Sequence, residues 1–168
     1  MMNEHDVIDI LKSAEQIGVD VWLDGGWGVD ALVGRQTRPH NDIDVFIEKH
    51  NADAFTEMIT QKGFSEIPME YTTKDHSAWR DSVDRIIDLH LFEYVEAGKL
   101  HFECEAYPSE VLDGKGVIGG FAVRCLTAEA QVMFHHGYEL TDKDTHDVLL
   151  LCETFGIPIP PEYKGKQQ

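Results

Sequence analysis

Basic residues are scarce in this chain: 14 lysines and arginines face 31 acids, leaving a net charge of −17. Such a balance argues against a nucleic-acid binder, which normally carries a basic face. It suits a solvated surface and would also favour a cationic small molecule. Cysteines number only three, Cys104, Cys125 and Cys152, and they form neither metal nor redox spacing. Buried thiols in a reducing compartment are the expectation. No apolar run approaches the ~18 residues of a membrane span. The opening Met-Met-Asn-Glu-His-Asp lacks a signal-peptide core. A cytoplasmic protein without a membrane partner follows as the expectation. Repeats, low-complexity tracts and clear linkers are missing, so residues 1–168 are expected to form one domain with a sizeable core. Two phosphate-binding signatures are missing as well. No Walker Gly-Lys-Ser/Thr follows the glycines, and Gly25-Gly26-Trp27-Gly28 lacks the GxGxxG spacing.

What is present reads as alternating helices and strands. Asn3 caps a helix whose Val7, Ile10, Leu11, Ala14 and Ile17 recur at helical spacing, with Gly18 as its end. Residues 19–23 predict a strand, 27–33 a short helix closed by Gly34, and 42–47 a second strand. Asn51 caps a third helix that stops at Gly63, and 64–67 return as a strand. Residues 69–84 are polar and read as strands joined by turns. Residues 85–94 predict a strong strand, with Ile87, Leu89 and Leu91 on one face and Asp88 and His90 on the other. Residues 95–120 read as hairpin and loop, 121–126 as a strand, and Thr127 as the cap of a helix. A last helix starts near Asp142 or Lys143 and runs to Gly156, ahead of Pro158, Pro160 and Pro161. The second half is thus strand-rich over 85–126 and helical over 127–157. The order predicts a mixed α/β sheet of the α+β type, flanked by helices and followed by C-terminal helices.

Asp42-Ile43-Asp44 is the most informative segment. On a strand, Asp42 and Asp44 point to the same face. Two like charges there are unfavourable unless a cation lies between them. As hard oxygen ligands they suit Mg²⁺, which keeps waters and shares substrate phosphates. Asp88, mid-strand between Ile87 and Leu89, is the candidate third carboxylate, as metal ligand or base. Gly25-Gly26 ends a strand and opens a helix, where backbone can approach a ligand and amides can face phosphate. Arg38, His40 and Lys143 could balance a triphosphate; Lys143 also shares a helix face with Asp147. Asp24 and Asp30 flank the glycines and read as structural. His135-His136 reads poorly as a metal pair, because adjacent helical residues diverge by about 100°. Trp22, Trp27, Trp79 and Tyr107 could line an apolar acceptor pocket, although aromatic core is the default for such residues.

Taken together, Gly25-Gly26, the segment Arg38-Pro39-His40-Asn41-Asp42-Ile43-Asp44 and the later Asp88 resemble the nucleotidyltransferase superfamily. The stretch Trp22-Leu23-Asp24-Gly25-Gly26-Trp27-Gly28-Val29-Asp30-Ala31-Leu32 narrows this to the small antibiotic nucleotidyltransferases. Within these, the chain looks most like the single-domain lincosamide enzymes. Phe134-His135-His136-Gly137-Tyr138 and the segment 142–147 resemble that group's C-terminal end. Where many superfamily members have Gly-Ser, this chain has Gly-Gly, and 66–84 match no part of the pattern.

The resemblance implies a nucleotidyltransferase-like fold and Mg²⁺-dependent transfer of a nucleoside monophosphate to an antibiotic hydroxyl, with release of pyrophosphate. It implies Asp42, Asp44 and Asp88 as metal-binding and catalytic residues, with one or two Mg²⁺ ions and ATP as the expected donor. A lincosamide such as lincomycin or clindamycin would be the acceptor. An aminoglycoside 2″-nucleotidyltransferase is the near alternative, because those enzymes share the tryptophan-containing stretch. A non-catalytic nucleotide-binding or toxin-antitoxin module of the same fold, and a glycosyltransferase-type Asp-x-Asp, are the other readings. A homodimer is compatible with a site built from short strands and loops.

Overall fold

The computed structural model describes residues 1–135 and 140–165. Asn3 opens α1 (Glu4–Gln16) through a reciprocal capping box with Asp6. β1 (Trp22–Asp24) runs directly into α2 (Gly25–Val33). β2 (Asp42–Glu48), α3 (Ala52–Gln61) and β3 (Ser65–Ile67) follow. Six strands then lie between β3 and the C-terminal helices, the first five being β4 (His76–Arg80), β5 (Ile86–Glu96), β6 (Lys99–Phe102), β7 (Glu105–Pro108) and β8 (Gly114–Ile118). β9 (Phe121–Cys125) leads into α4 (Ala128–Phe134), which Thr127 caps by accepting from the Ala130 amide. α5 (Asp142–Phe155) has its own capping box, between Thr141 and Asp144.

The sheet order is β3-β4-β5-β2-β1-β9-β8, with β6 and β7 joining as a hairpin on the far half of β5. β2 lies parallel to β5 and antiparallel to β1, and β1 lies parallel to β9. This is the mixed sheet with flanking and C-terminal helices that the element order predicts. Strand alternation divides the sheet into two unlike faces. Leu23, Ile43, Val45, Ile47, Ile87 and Leu89 are buried in one core cluster with α1 and α3 residues such as Val7, Ile10, Phe55 and Ile59. Each such side chain contributes about 1.5–3 kcal/mol of burial. The opposite face carries the acids.

The structure differs from the sequence reading in several places. The Asn51 side chain makes no capping bond to α3, because its backbone is already helical there, and Cys104 is exposed where a buried thiol was expected. The first strand begins at Trp22, not Val19, because the Val19 amide bonds back to the Ala14 carbonyl to close α1. α2 begins at Gly25, so the glycine pair forms its first turn instead of preceding it. Residues 95–120 contain three paired strands, the end of β5 aside, because β8 aligns along β9. Among the described residues no helix is long and apolar enough to cross a membrane.

Candidate active site

Three aspartates stand in one row across the sheet. Asp44 on β2 is paired with Asp24 on β1 and with Asp88 on β5. Strand spacing sets such partners about 5 Å apart at their Cα atoms. Asp42, two residues before Asp44, lies on the same face. Burial, and then the charges of Asp42, Asp88 and Asp24, raise Asp44 well above the usual carboxylate range. Oδ1 of Asp24 is buried and has no hydrogen-bond partner among the described residues. Among those residues no three His, Cys, Asp or Glu side chains already converge closely enough to enclose a metal ion. Mutual repulsion keeps like charges apart, and a divalent cation would offset it; the all-oxygen donor set fits Mg²⁺.

α2 starts immediately beside this row. Gly25 has φ +56°, and a Cβ there would overlap the Asp44 carboxylate, whose Cγ lies at 2.8 Å. The first amides of α2 are therefore placed near the acids, in the position where a helix start attracts phosphate.

Asp88 is held from two directions. The Tyr71 hydroxyl donates to both its oxygens, at 3.1 and 3.2 Å, and His76 Nε2 lies 3.3 Å from Oδ1. Burial lowers His76, but its bonds to Asp88 and Glu103 outweigh that and raise it above an ordinary histidine. Next in the row, His90 pairs with Phe46 and His76 across β2 and β4. It is sandwiched between their rings at 4.7 and 4.1 Å. Burial and then the charge of His76 lower it to about 4, so it is neutral at pH 7.

Arg38 and His40 lie behind the glycine turn. The Arg38 guanidinium donates to both oxygens of Asp147 on α5 and, through Nη1, to His40 Nδ1 at 3.0 Å. Because arginine can only donate, Nδ1 accepts, and the proton sits on Nε2, which donates to Asp30 Oδ2 at 2.5 Å. Asp30 also accepts from the amide and hydroxyl of Thr37. Both His40 nitrogens are thus committed, and the side chain is 1% exposed. A Cβ on Gly26 would overlap the His40 ring and stand 2.7 Å from Arg38 Nη2. The second glycine therefore makes room for this chain of charges.

The predicted residues accordingly separate into groups. Asp42, Asp44, Asp88 and Gly25 share the acid face. Gly26, Arg38 and His40 support it from behind. Lys143 is exposed in the first turn of α5 and makes no ion pair among the described residues, while Asp147, one turn on, is the partner of Arg38. His135 donates through Nδ1 to the Gln131 carbonyl at 2.7 Å, leaving Nε2 4.0 Å from Asp144, and its charge lowers Asp44. His136 lies outside the described residues. Trp27 is buried against His40, Trp22 packs on Phe92 and Trp79 lies in the α1–α3 core, so the tryptophans do not form one pocket. Tyr107 instead joins Phe134 and Phe102 beside Phe46. Sequence reasoning missed Asp24, Tyr71, His76, His90 and Glu103 as members of this neighbourhood. Only His90 had a signal, its i+2 relation to Asp88 on a strand.

A family model for aminoglycoside-2″-adenylyltransferases matches residues 6–151. The lincosamide resistance protein of Staphylococcus haemolyticus is 27% identical over 158 residues, which cover 88% of this chain and 92% of that one. A 2″-aminoglycoside nucleotidyltransferase of Escherichia coli is 28% identical over 139 residues, which cover 77% of this chain and 70% of that one. Among solved structures, the lincomycin-bound lincosamide antibiotic adenylyltransferase LnuA superposes with a TM-score of 0.78 at 26% identity, covering 94% of this chain and 99% of its own.

Proposed function

Because the chain belongs to the aminoglycoside-2″-adenylyltransferase family, and is thereby an antibiotic-modifying nucleotidyltransferase, we propose that it adenylylates a hydroxyl of a lincosamide, using ATP and releasing pyrophosphate. The row Asp24, Asp44 and Asp88, with Asp42 beside it, is the observation that carries the transfer reading. The choice of a lincosamide over an aminoglycoside is supported by length, since the staphylococcal lincosamide protein is covered over 92% and the aminoglycoside enzyme over 70%.

Asp42 and Asp44 are the residues that would hold Mg²⁺, with Asp24 and Asp88 on either side of Asp44. When bound, the ion supplies charge neutralisation for the triphosphate and the departing pyrophosphate. The chain's own residues do the remaining work. Gly25 opens the approach beside Asp44, and the first amides of α2 face the phosphates. Asp88, oriented by Tyr71 and His76, accepts the acceptor's hydroxyl proton as the oxygen attacks the α-phosphorus. Lys143 steadies the leaving phosphates from the start of α5, and Arg38 and His40 hold the glycine turn rigid.

Mass spectrometry of protein, MgATP and lincomycin tests this: one added AMP (adenylyl group) per antibiotic is the expected result. AMP on tobramycin or kanamycin with none on lincomycin or clindamycin would transfer the assignment to the aminoglycosides, the reading favoured by the family's own description.

A further inference from the structure

The β6–β7 turn carries an unusual backbone. It closes with two residues, between the paired Phe102 and Glu105, and both of them, Glu103 and Cys104, adopt positive φ (46° and 70°) without being glycine. Tight hairpins of this kind favour Asn-Gly, which reaches that conformation cheaply. A glutamate kept in left-handed backbone points from the strain to a task for its side chain. That side chain reaches across to the site: Glu103 Oε1 lies 3.3 Å from His76 Nδ1, while His76 Nε2 lies 3.3 Å from Asp88 Oδ1.

The imidazole is therefore held at both ends by carboxylates. Its plane is fixed as well, with Tyr71 stacked on it at 4.6 Å and His90 at 4.1 Å. His76 and Asp88 are little exposed, by 16% and 15%, so solvent competes weakly for the contact between them, while Glu103 grips the ring from the more open side. Tyr71 closes the set by donating to the same carboxylate.

We propose that His76 is a positioning residue for Asp88, clamped by Glu103 from the β6–β7 turn, so that the seating of this hairpin sets the orientation of the base. The proposal rests on the reading of Asp88 as the acid that takes the acceptor's proton. His76 touches neither substrate in this scheme. It makes the two oxygens of Asp88 unequal, since Oδ1 is engaged by both the imidazole and Tyr71 whereas Oδ2 is engaged by Tyr71. The same hairpin places Phe102 edge-on to His90 at 5.5 Å, so one segment packs the aromatic row and orients the acid.

Three variants test it on the full chain. His76→Phe keeps the ring and the stacking but removes both nitrogens, His76→Gln keeps a polar group, and Glu103→Gln keeps the length. On the acceptor found in the mass-spectrometric screen, His76→Phe should lower kcat by about 10-fold or more with KM for MgATP little changed. His76→Gln should recover part of that loss, and Glu103→Gln should fall between His76→Phe and wild type. Equal kcat in His76→Phe and wild type, or no difference between His76→Phe and His76→Gln, would overturn the proposal. A second readout is independent of turnover. In imidazole ¹⁵N spectra of the free protein, the His76 signals, assigned by their loss in His76→Phe, should shift in both Asp88→Asn and Glu103→Gln. His76 signals indifferent to Glu103→Gln would overturn the clamp whichever antibiotic is modified, whereas a shift in both with no AMP transfer to any acceptor would leave the clamp standing and remove the functional reading.

Discussion

Gly25 and Asp44 occupy touching space: a Cβ on the glycine would fall into the carboxylate, with Asp44 Cγ 2.8 Å away. The glycine is needed twice, once for its φ of +56° and once for that approach. Gly25→Ala should therefore lose about 100-fold or more in kcat, because the displaced Asp44 no longer meets the incoming phosphates. Left-handed backbone should cost the fold about 1–2 kcal/mol. Gly18→Ala is the control, since Gly18 has φ +75° with nothing within 4 Å of a Cβ. It should show the stability loss alone. Similar kcat losses in both variants would mean that backbone strain, not Asp44, explains the effect.

The crowding of Asp44 has a consequence for stability. Its ionisation is opposed by burial and by Asp42, Asp88 and Asp24, so its folded pKa is raised above the unfolded value. A carboxyl raised in this way weakens the fold at pH values above its unfolded pKa, where the unfolded chain ionises it freely. Asp44→Asn should thus raise the melting temperature in EDTA at pH 7 while abolishing transfer. A gain of about 1 kcal/mol corresponds to about 2–4 °C for a chain of this size. Thermal melts with and without MgCl₂ check it, and the gain should shrink when the cation is present. A variant less stable than wild type in EDTA would contradict the electrostatic account.

The acid pair was legible because strand alternation alone puts Asp42 and Asp44 on one face, and the same rule picks out Asp88. Asp24 was not, since an acid before Gly-Gly reads as a turn former; only the pairing of β1 with β2 places it opposite Asp44. Tyr71 and His76 come from a polar stretch in which no motif stands out, and β4 folding back along β5 brings His76 to Asp88. Arg38 and His40 looked like phosphate ligands because their acidic partners are distant in sequence or in another role. Asp147 is 109 residues from Arg38, and its helix-face neighbour Lys143 was the more visible partner. The helices were read well where caps and periodicity agree, as at Asn3, Thr127 and Gly156.

The Asp147–Arg38 pair should be worth more whole than halved. Asp147 is 1% exposed and Arg38 18%, so removing one partner leaves a largely buried charge. Asp147→Ala should cost about 3–5 kcal/mol in urea denaturation. Combining Arg38→Met with Asp147→Leu should cost much less, because no charge is stranded. An additive loss in the double variant would show that the two residues act separately.

Asp81 should give the wild type a stability advantage that fades in acid. It sits in the turn that leads into β5, the strand carrying Asp88. Burial raises its pKa, but the bonds it accepts from the Arg85 backbone and side chain and from the Val83 amide outweigh that, and the folded pKa lies below 3.8. Those bonds run at 2.7–3.0 Å, and Arg85 also reaches Asp6 on α1, tying the turn to the first helix. A depressed acid stabilises the fold above its unfolded pKa of about 3.9, and the contribution disappears as pH falls through the lower folded value. Asp81→Asn keeps an amide-accepting oxygen but loses the charge. Wild type should exceed it by about 1–3 kcal/mol at pH 7 and equally at pH 5. The gap should narrow from pH 4 downwards. Urea denaturation at pH 7, 5, 4 and 3 measures it, and a gap of constant width down to pH 3 would show that the charge on Asp81 is not what holds the turn.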